Sequence, residues 1–121
     1  MKNFKKLKIW QKGFHIAKKS FSLVQTFPKE EKFGISSQIT RADYKSWVSI
    51  PSNIAEGSSK GSEKDKSRFI EISLGSSFEL ETQLLIAEAV NYGNSALLTD
   101  LLKEVDIEQK MLLSFNSKLN K

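Results

Sequence analysis

Four carboxylates, Glu71, Glu79, Glu81 and Glu88, fall in one stretch of the chain and are of a type that could hold metal in a helical bundle. A di-iron bundle also needs Glu-x-x-His pairs on facing helices. The chain has a single histidine, His15, and no such pair, so neither a metal centre nor a cofactor is expected. A hydrolytic triad needs a nucleophile, a base and an orienting group. His15 could act as base, but it sits among lysines in a polar stripe, the setting of a surface histidine. The run Gly57-Ser58-Ser59-Lys60-Gly61-Ser62 offers Lys and Ser in a glycine-rich stretch. It lacks the first glycine at P-loop spacing and a preceding strand, and it reads as a hinge. With no cysteine, neither disulfides nor thiolate ligands exist. These patterns predict a protein that is not an enzyme.

The basic residues have more order. Lys5, Lys8, Lys12, His15 and Lys19 share one helical stripe, about 100° round from the apolar one. Gln38, Arg41 and Lys45 share another. Side by side, the two stripes would form a strip for a phosphate backbone. The plainer alternative is an ordinary solvated face. Charge is uneven along the chain: residues 1–60 carry 12 Lys/Arg against 4 Asp/Glu, and residues 61–121 carry 7 against 10. Such asymmetry suits attraction to a polyanion, or head-to-tail attraction between subunits.

The elements that must carry these residues are helices. Four segments show apolar positions at alternating spacings of three and four. The first is Leu7, Trp10, Phe14, Ala17, Phe21 and Val24, ended by Phe27-Pro28. The second is Ile35, Ile39, Ala42, Ser46, Ile50, Ile54 and Gly57, with a kink or break expected at Pro51. Ser62 with Asp65 signals the cap of a third helix, which carries Phe69, Ile72, Ser76, Leu80, Leu84 and Ala87. Small residues at Gly75-Ser76-Ser77 would let another helix approach closely. Asn91-Tyr92-Gly93-Asn94 turns the chain, and Ser95 can cap a fourth helix bearing Leu98, Leu101, Val105, Glu108, Leu112, Phe115 and Leu119. Glu108 interrupts that stripe and is placed at the core boundary.

The fold class expected is all-α, an antiparallel up-down four-helix bundle, one domain over residues 1–121. Apolar residues outside the main stripes (Ile9, Ile16, Leu23, Trp47, Ile70, Leu74, Phe78, Leu85, Leu97, Leu102) point to a second buried face and a homo-oligomer, or to a broad core. The basic N-terminus is followed by no apolar run, so neither a signal peptide nor a membrane anchor is expected, and the protein is read as cytoplasmic.

Several strings carry a family likeness: Trp10-Gln11-Lys12, Phe27-Pro28-Lys29-Glu30-Glu31, Phe33-Gly34-Ile35 with Ser37-Gln38-Ile39, Ser49-Ile50-Pro51-Ser52-Asn53-Ile54-Ala55-Glu56-Gly57, and Glu79-Leu80-Glu81-Thr82-Gln83-Leu84. In this order the chain resembles, over nearly its whole length, the four-helix-bundle proteins encoded in intervening sequences of bacterial 23S ribosomal RNA genes. That family is often labelled a ribosomal protein family. The resemblance implies a bundle that associates into a ring, typically a pentamer, and no established catalytic activity. It also implies a likeness to the basic, barrel-forming accessory protein of diversity-generating retroelements, which works with a reverse transcriptase and nucleic acid.

The chain departs from the family pattern at Asp43-Tyr44-Lys45-Ser46, which intervenes before Val48, with Trp47 in a normally small position. Four extra residues either continue the helix with a twist of about 40° or bulge out. Pro51, Asn53, Glu56, Gly57, Glu79, Glu81 and Gln83 are then expected to shape the bundle or its subunit interface, or to touch a ligand or RNA. The function expected is a non-enzymatic, oligomeric adaptor that associates with RNA or with a protein acting on RNA. Lys5, Lys8, Lys12, Lys19, Arg41 and Lys45 are its phosphate-contact candidates. The rival is a purely structural homo-oligomer that binds no nucleic acid.

Overall fold

The four helix-period segments become four helices in the computed structural model: α1 (Lys8–Val24), α2 (Ile35–Ser58), α3 (Glu63–Ala89) and α4 (Ser95–Leu119). A single 3-10 turn at Phe4–Lys6 precedes α1. The structure describes residues 3–28 and 35–120, and along 35–44 it describes the backbone only. Among the described residues there is no strand, and no helix is long and apolar enough to cross a membrane.

Local chemistry sets the helix ends. Ser62 Oγ accepts the Asp65 amide at 3.1 Å, and Glu63 and Asp65 complement the positive end of α3. Asn94, rather than Ser95, caps α4: its Oδ1 accepts the Leu97 amide at 3.0 Å. Both residues can cap, but Ser95 already has helical geometry. The α3–α4 turn uses Asn91 at φ 59° and Gly93 at φ 83°, the left-handed region that Asn and Gly tolerate best. A side chain at Gly93 would also strike the Phe27 ring, 3.0 Å away.

Side-chain contacts fix the helix directions. Lys19 meets Asp100 while Lys12 meets Glu104, so α1 and α4 run antiparallel. Ser46 meets Gln83 and Ser73 meets Ile50, so α2 and α3 do too. Ser67 meets Asn116 and Glu81 meets Gln109 across α3 and α4. Each helix packs on its neighbours in sequence, and α1 closes the circle against α4. This is the up-down four-helix bundle.

The core stripe of α4 is where the sequence puts it: Leu98, Leu101, Val105 and Leu112 are buried. The stripe of α1 is so only in part: Ala17 is buried, and Leu7, Trp10 and Val24 pack half-buried against the core. Ile9, Gly13, Ile16, Ser20 and Leu23 face the core, while Phe14 is 52% and Phe21 is 42% exposed. The surplus residues Ile9, Ile16, Leu23, Trp47 and Ile70 therefore belong to the core, and Phe78 and Leu85 stay outside. On α3, Ile72 also stays outside, and Ser73 takes the inward place.

The helix α2 is continuous through Pro51, so of the kink or break expected there the break does not occur. It also runs through residues 43–46, which continue the helix rather than bulging. Trp47 in that segment is 1% exposed and meets the Phe21 ring edge-on, 4.7 Å between centroids. Gly75 is not the point of close approach. It faces open space, while Ser67, Ser73 and Ser77 are buried and Ser76 meets Ser49 of α2.

Candidate functional site

The basic stripe of α1 is built against an acidic stripe on α4. Asp100 and Glu104, four residues apart, share one side of α4. Lys19 Nζ donates to Asp100 and, at 3.2 Å, to Glu104. Lys12 Nζ lies 3.7 Å from Glu104 Oε1, and His15 Nε2 lies 3.5 Å from Glu104 Oε2. The hydrogen bond with Asp100 holds the Lys19 ammonium above its ordinary pKa, and the same bond holds Asp100 below its own. Lys12 and Lys19 thus spend their charge inside the bundle. Lys5, Lys8 and Lys45 are exposed, and no ion pair joins them to the described residues. The side chains of Gln38 and Arg41 lie outside the described residues.

Next along the same side of α4 comes Glu108. It is 0% exposed, not at the core boundary as its sequence position suggested, and neither carboxyl oxygen has a hydrogen-bond donor among the described residues. The space it occupies exists because Gly13 has no side chain. A Cβ there would stand 3.0 Å from Glu108 Oε2 and 3.1 Å from Ile50. Burial pushes the Glu108 carboxyl up to about 8, with the Lys12 charge pulling the other way.

The outer side of α1 carries a third feature. Phe4, Trp10 and Phe14 follow one another at centroid separations of 5.3 and 5.2 Å. Trp10 and Phe14, with Phe21, open onto a groove floored by Val48, Pro51 and Ala55 of α2. Among the described residues no group of three or more His, Asp or Glu side chains is placed to hold a metal ion.

The profile of the family described as 23S rRNA-intervening sequence protein matches residues 5–114. The chain belongs to that family. A crystal structure of a protein with unknown function, from the S23 ribosomal protein family of Bacteroides thetaiotaomicron VPI-5482, superposes with a TM-score of 0.79 at 20% identity. The match covers 89% of this chain and 97% of that one, and at this identity it shows the fold alone. No curated protein matches the sequence.

In this 23S rRNA-intervening sequence family member, several of the motif residues tie helices together. Ser49 and Ser76 share a hydrogen bond of 2.8 Å, and Asn53 Nδ2 donates to Ser49 Oγ at 2.8 Å. Ser46 Oγ donates to Gln83 at 2.8 Å, and Gln109 Nε2 donates to Glu81 at 3.0 Å. Pro51 is buried, and Gly57 lets α3 approach until a Cβ there would be 2.8 Å from Phe69 Cβ. Glu56 and Glu79 are exposed.

The sequence stripes miss two features, the buried carboxyl at Glu108 and the outer aromatic row. A signal for both was present. Gly13 and Ser20 interrupt the Ile9–Ile16–Leu23 stripe with small residues, which is what close helix approach needs. The bulky row Trp10–Phe14–Phe21 cannot be packed so tightly.

Proposed function

We propose that the chain is a non-catalytic assembly module that joins copies of itself head to tail. The groove between α1 and α2 receives the outer face of α3 from the next copy. The observation that carries this is the outward placement of large apolar side chains on two different faces. Phe14 stands on one at 52% exposure, and Phe78 and Leu85 stand on the other at 49% and 48%. Clusters of this kind mark interaction sites on soluble proteins. The charges agree. Lys18 lines the groove, while the exposed Glu71 and Glu79 lie among the apolar residues of α3. Two unlike faces make a heterologous contact, which closes into a ring when the rotation between copies allows. The family resemblance supports a ring, with five copies typical.

Light scattering tests this reading. Wild type is expected to run as a multi-subunit particle, and Phe14→Glu and Leu85→Arg each as a monomer. Mixing the two variants restores one intact interface and yields a one-to-one dimer. A wild-type monomer at high concentration sinks the reading, and failure of the mixture to pair sinks its head-to-tail form.

A second reading, contact with RNA, is supported by the exposed lysines at the start of the chain, Lys5, Lys6 and Lys8. Double reversal Lys5→Glu/Lys8→Glu is expected to weaken RNA binding and to lower its salt slope by about one for each phosphate that a lysine no longer neutralises. Unchanged affinity across a salt series would remove these residues from the interface. The same reversal at Lys12 and Lys19 is expected to loosen the bundle, because it faces Asp100 and Glu104 with like charge.

A further inference from the structure

We infer that Glu108 is a proton-held latch at the crossing of α1, α2 and α4: as the neutral acid it lets the three helices close, and its deprotonation loosens them. The geometry carries this. The side chain is fully buried, both oxygens lack donors among the described residues, and Oε2 lies so close to Gly13 that a Cβ there would stand 3.0 Å from it. A buried carboxylate without donors or a counter-ion is too costly to keep, so such a group stays protonated.

Among the described residues no neighbouring helix supplies the missing compensation. From α1 the facing cation is Lys12, whose ammonium is already 3.7 Å from Glu104, and His15 and Lys19 also turn toward Glu104. From α2, Ile50 and Pro51 close on the same Gly13 surface, and both are apolar. On α3, Glu81 is occupied by Gln109. On α4 itself, Glu104 stands one turn away, and a second negative charge there would be repelled.

The direction of the pH effect follows. Glu108 has an ordinary value of 4.5 when unfolded and about 8 in the bundle, so folding takes up a proton between those limits. The contribution is complete below 4.5 and is lost as pH rises toward about 8. Within that window the folding constant falls by up to about tenfold per pH unit.

Urea unfolding of wild type, Glu108→Gln and Glu108→Leu across this window tests the latch. Wild type is expected to weaken with rising pH relative to both variants, and the leucine variant to be the most stable at the alkaline end. Equal pH slopes in wild type and the glutamine variant would overturn the inference. Should both variants fail to fold, carbon-13 NMR of the Glu108 carboxyl in wild type decides. A midpoint near 8 supports the latch, and one near 4.5 sinks it. Amide exchange around Gly13 should also accelerate with pH beyond the intrinsic chemical rate. If it does not, deprotonation leaves the crossing closed and the latch is refuted.

Discussion

Trp47→Ala is expected to cost the bundle about 3–5 kcal/mol of unfolding free energy and to lower Tm by roughly 10–20 °C. Trp47 is among the largest fully buried side chains, at 1% exposure. Its removal deletes the transfer free energy of an indole and leaves a void between α1 and α2, where Phe21 now stands edge-on to it. A four-helix domain has about 5–15 kcal/mol in all, so the loss takes a large part of the total. Urea denaturation followed by far-UV circular dichroism measures it. A change below about 1 kcal/mol would mean that the segment 43–47 is peripheral to the core. A large cost would show that Trp47 fills a space around which the rest of the bundle is closely packed.

Two helical glycines should respond with opposite sign. Gly57→Leu is expected to destabilise by about 1–3 kcal/mol or more. The Cβ alone would meet Phe69 Cβ at 2.8 Å, and that atom is fixed to the backbone of α3, so the two helices must separate. Gly75→Ala is expected to stabilise by about 1 kcal/mol, the ordinary gain of alanine over glycine inside a helix. A Cβ there meets nothing within 4 Å. Both values come from urea unfolding, best measured in the Leu85→Arg background so that assembly through α3 does not contribute. A destabilised Gly75→Ala variant in that background would contradict the open surface around the residue. A Gly57→Leu variant as stable as wild type would contradict the tight α2–α3 crossing.

The number of helices, the cap of α3, the α3–α4 turn and the bundle class were legible because each rests on local physics. Ser62 caps α3 by bonding an amide three residues on, and Asn91 and Gly93 turn the chain because few other residues accept a positive φ. The stripe of α4 was legible because its strongest apolar row has no rival on the same helix. The interhelical roles of Ser49, Glu81 and Gln83 could be suspected only through the family strings, since a polar residue at helical spacing does not announce which partner it meets.

What the sequence could not decide was which side of α1 faces in. Trp10–Phe14–Phe21 and Ile9–Ile16–Leu23 both repeat at helical period, and periodicity alone does not choose between them. Tertiary packing chose the second, because Gly13 and Ser20 let α2 and α4 come near and aliphatic side chains fill the narrow space that remains. The same rotation turned Lys12 and Lys19 onto Asp100 and Glu104, and it left Phe14 outside as a surface to be covered. Glu108 shows the limit most plainly. A carboxyl in an apolar stripe is placed at the boundary by its solvation energy, and only the meeting of three helices over a bare glycine sealed it inside.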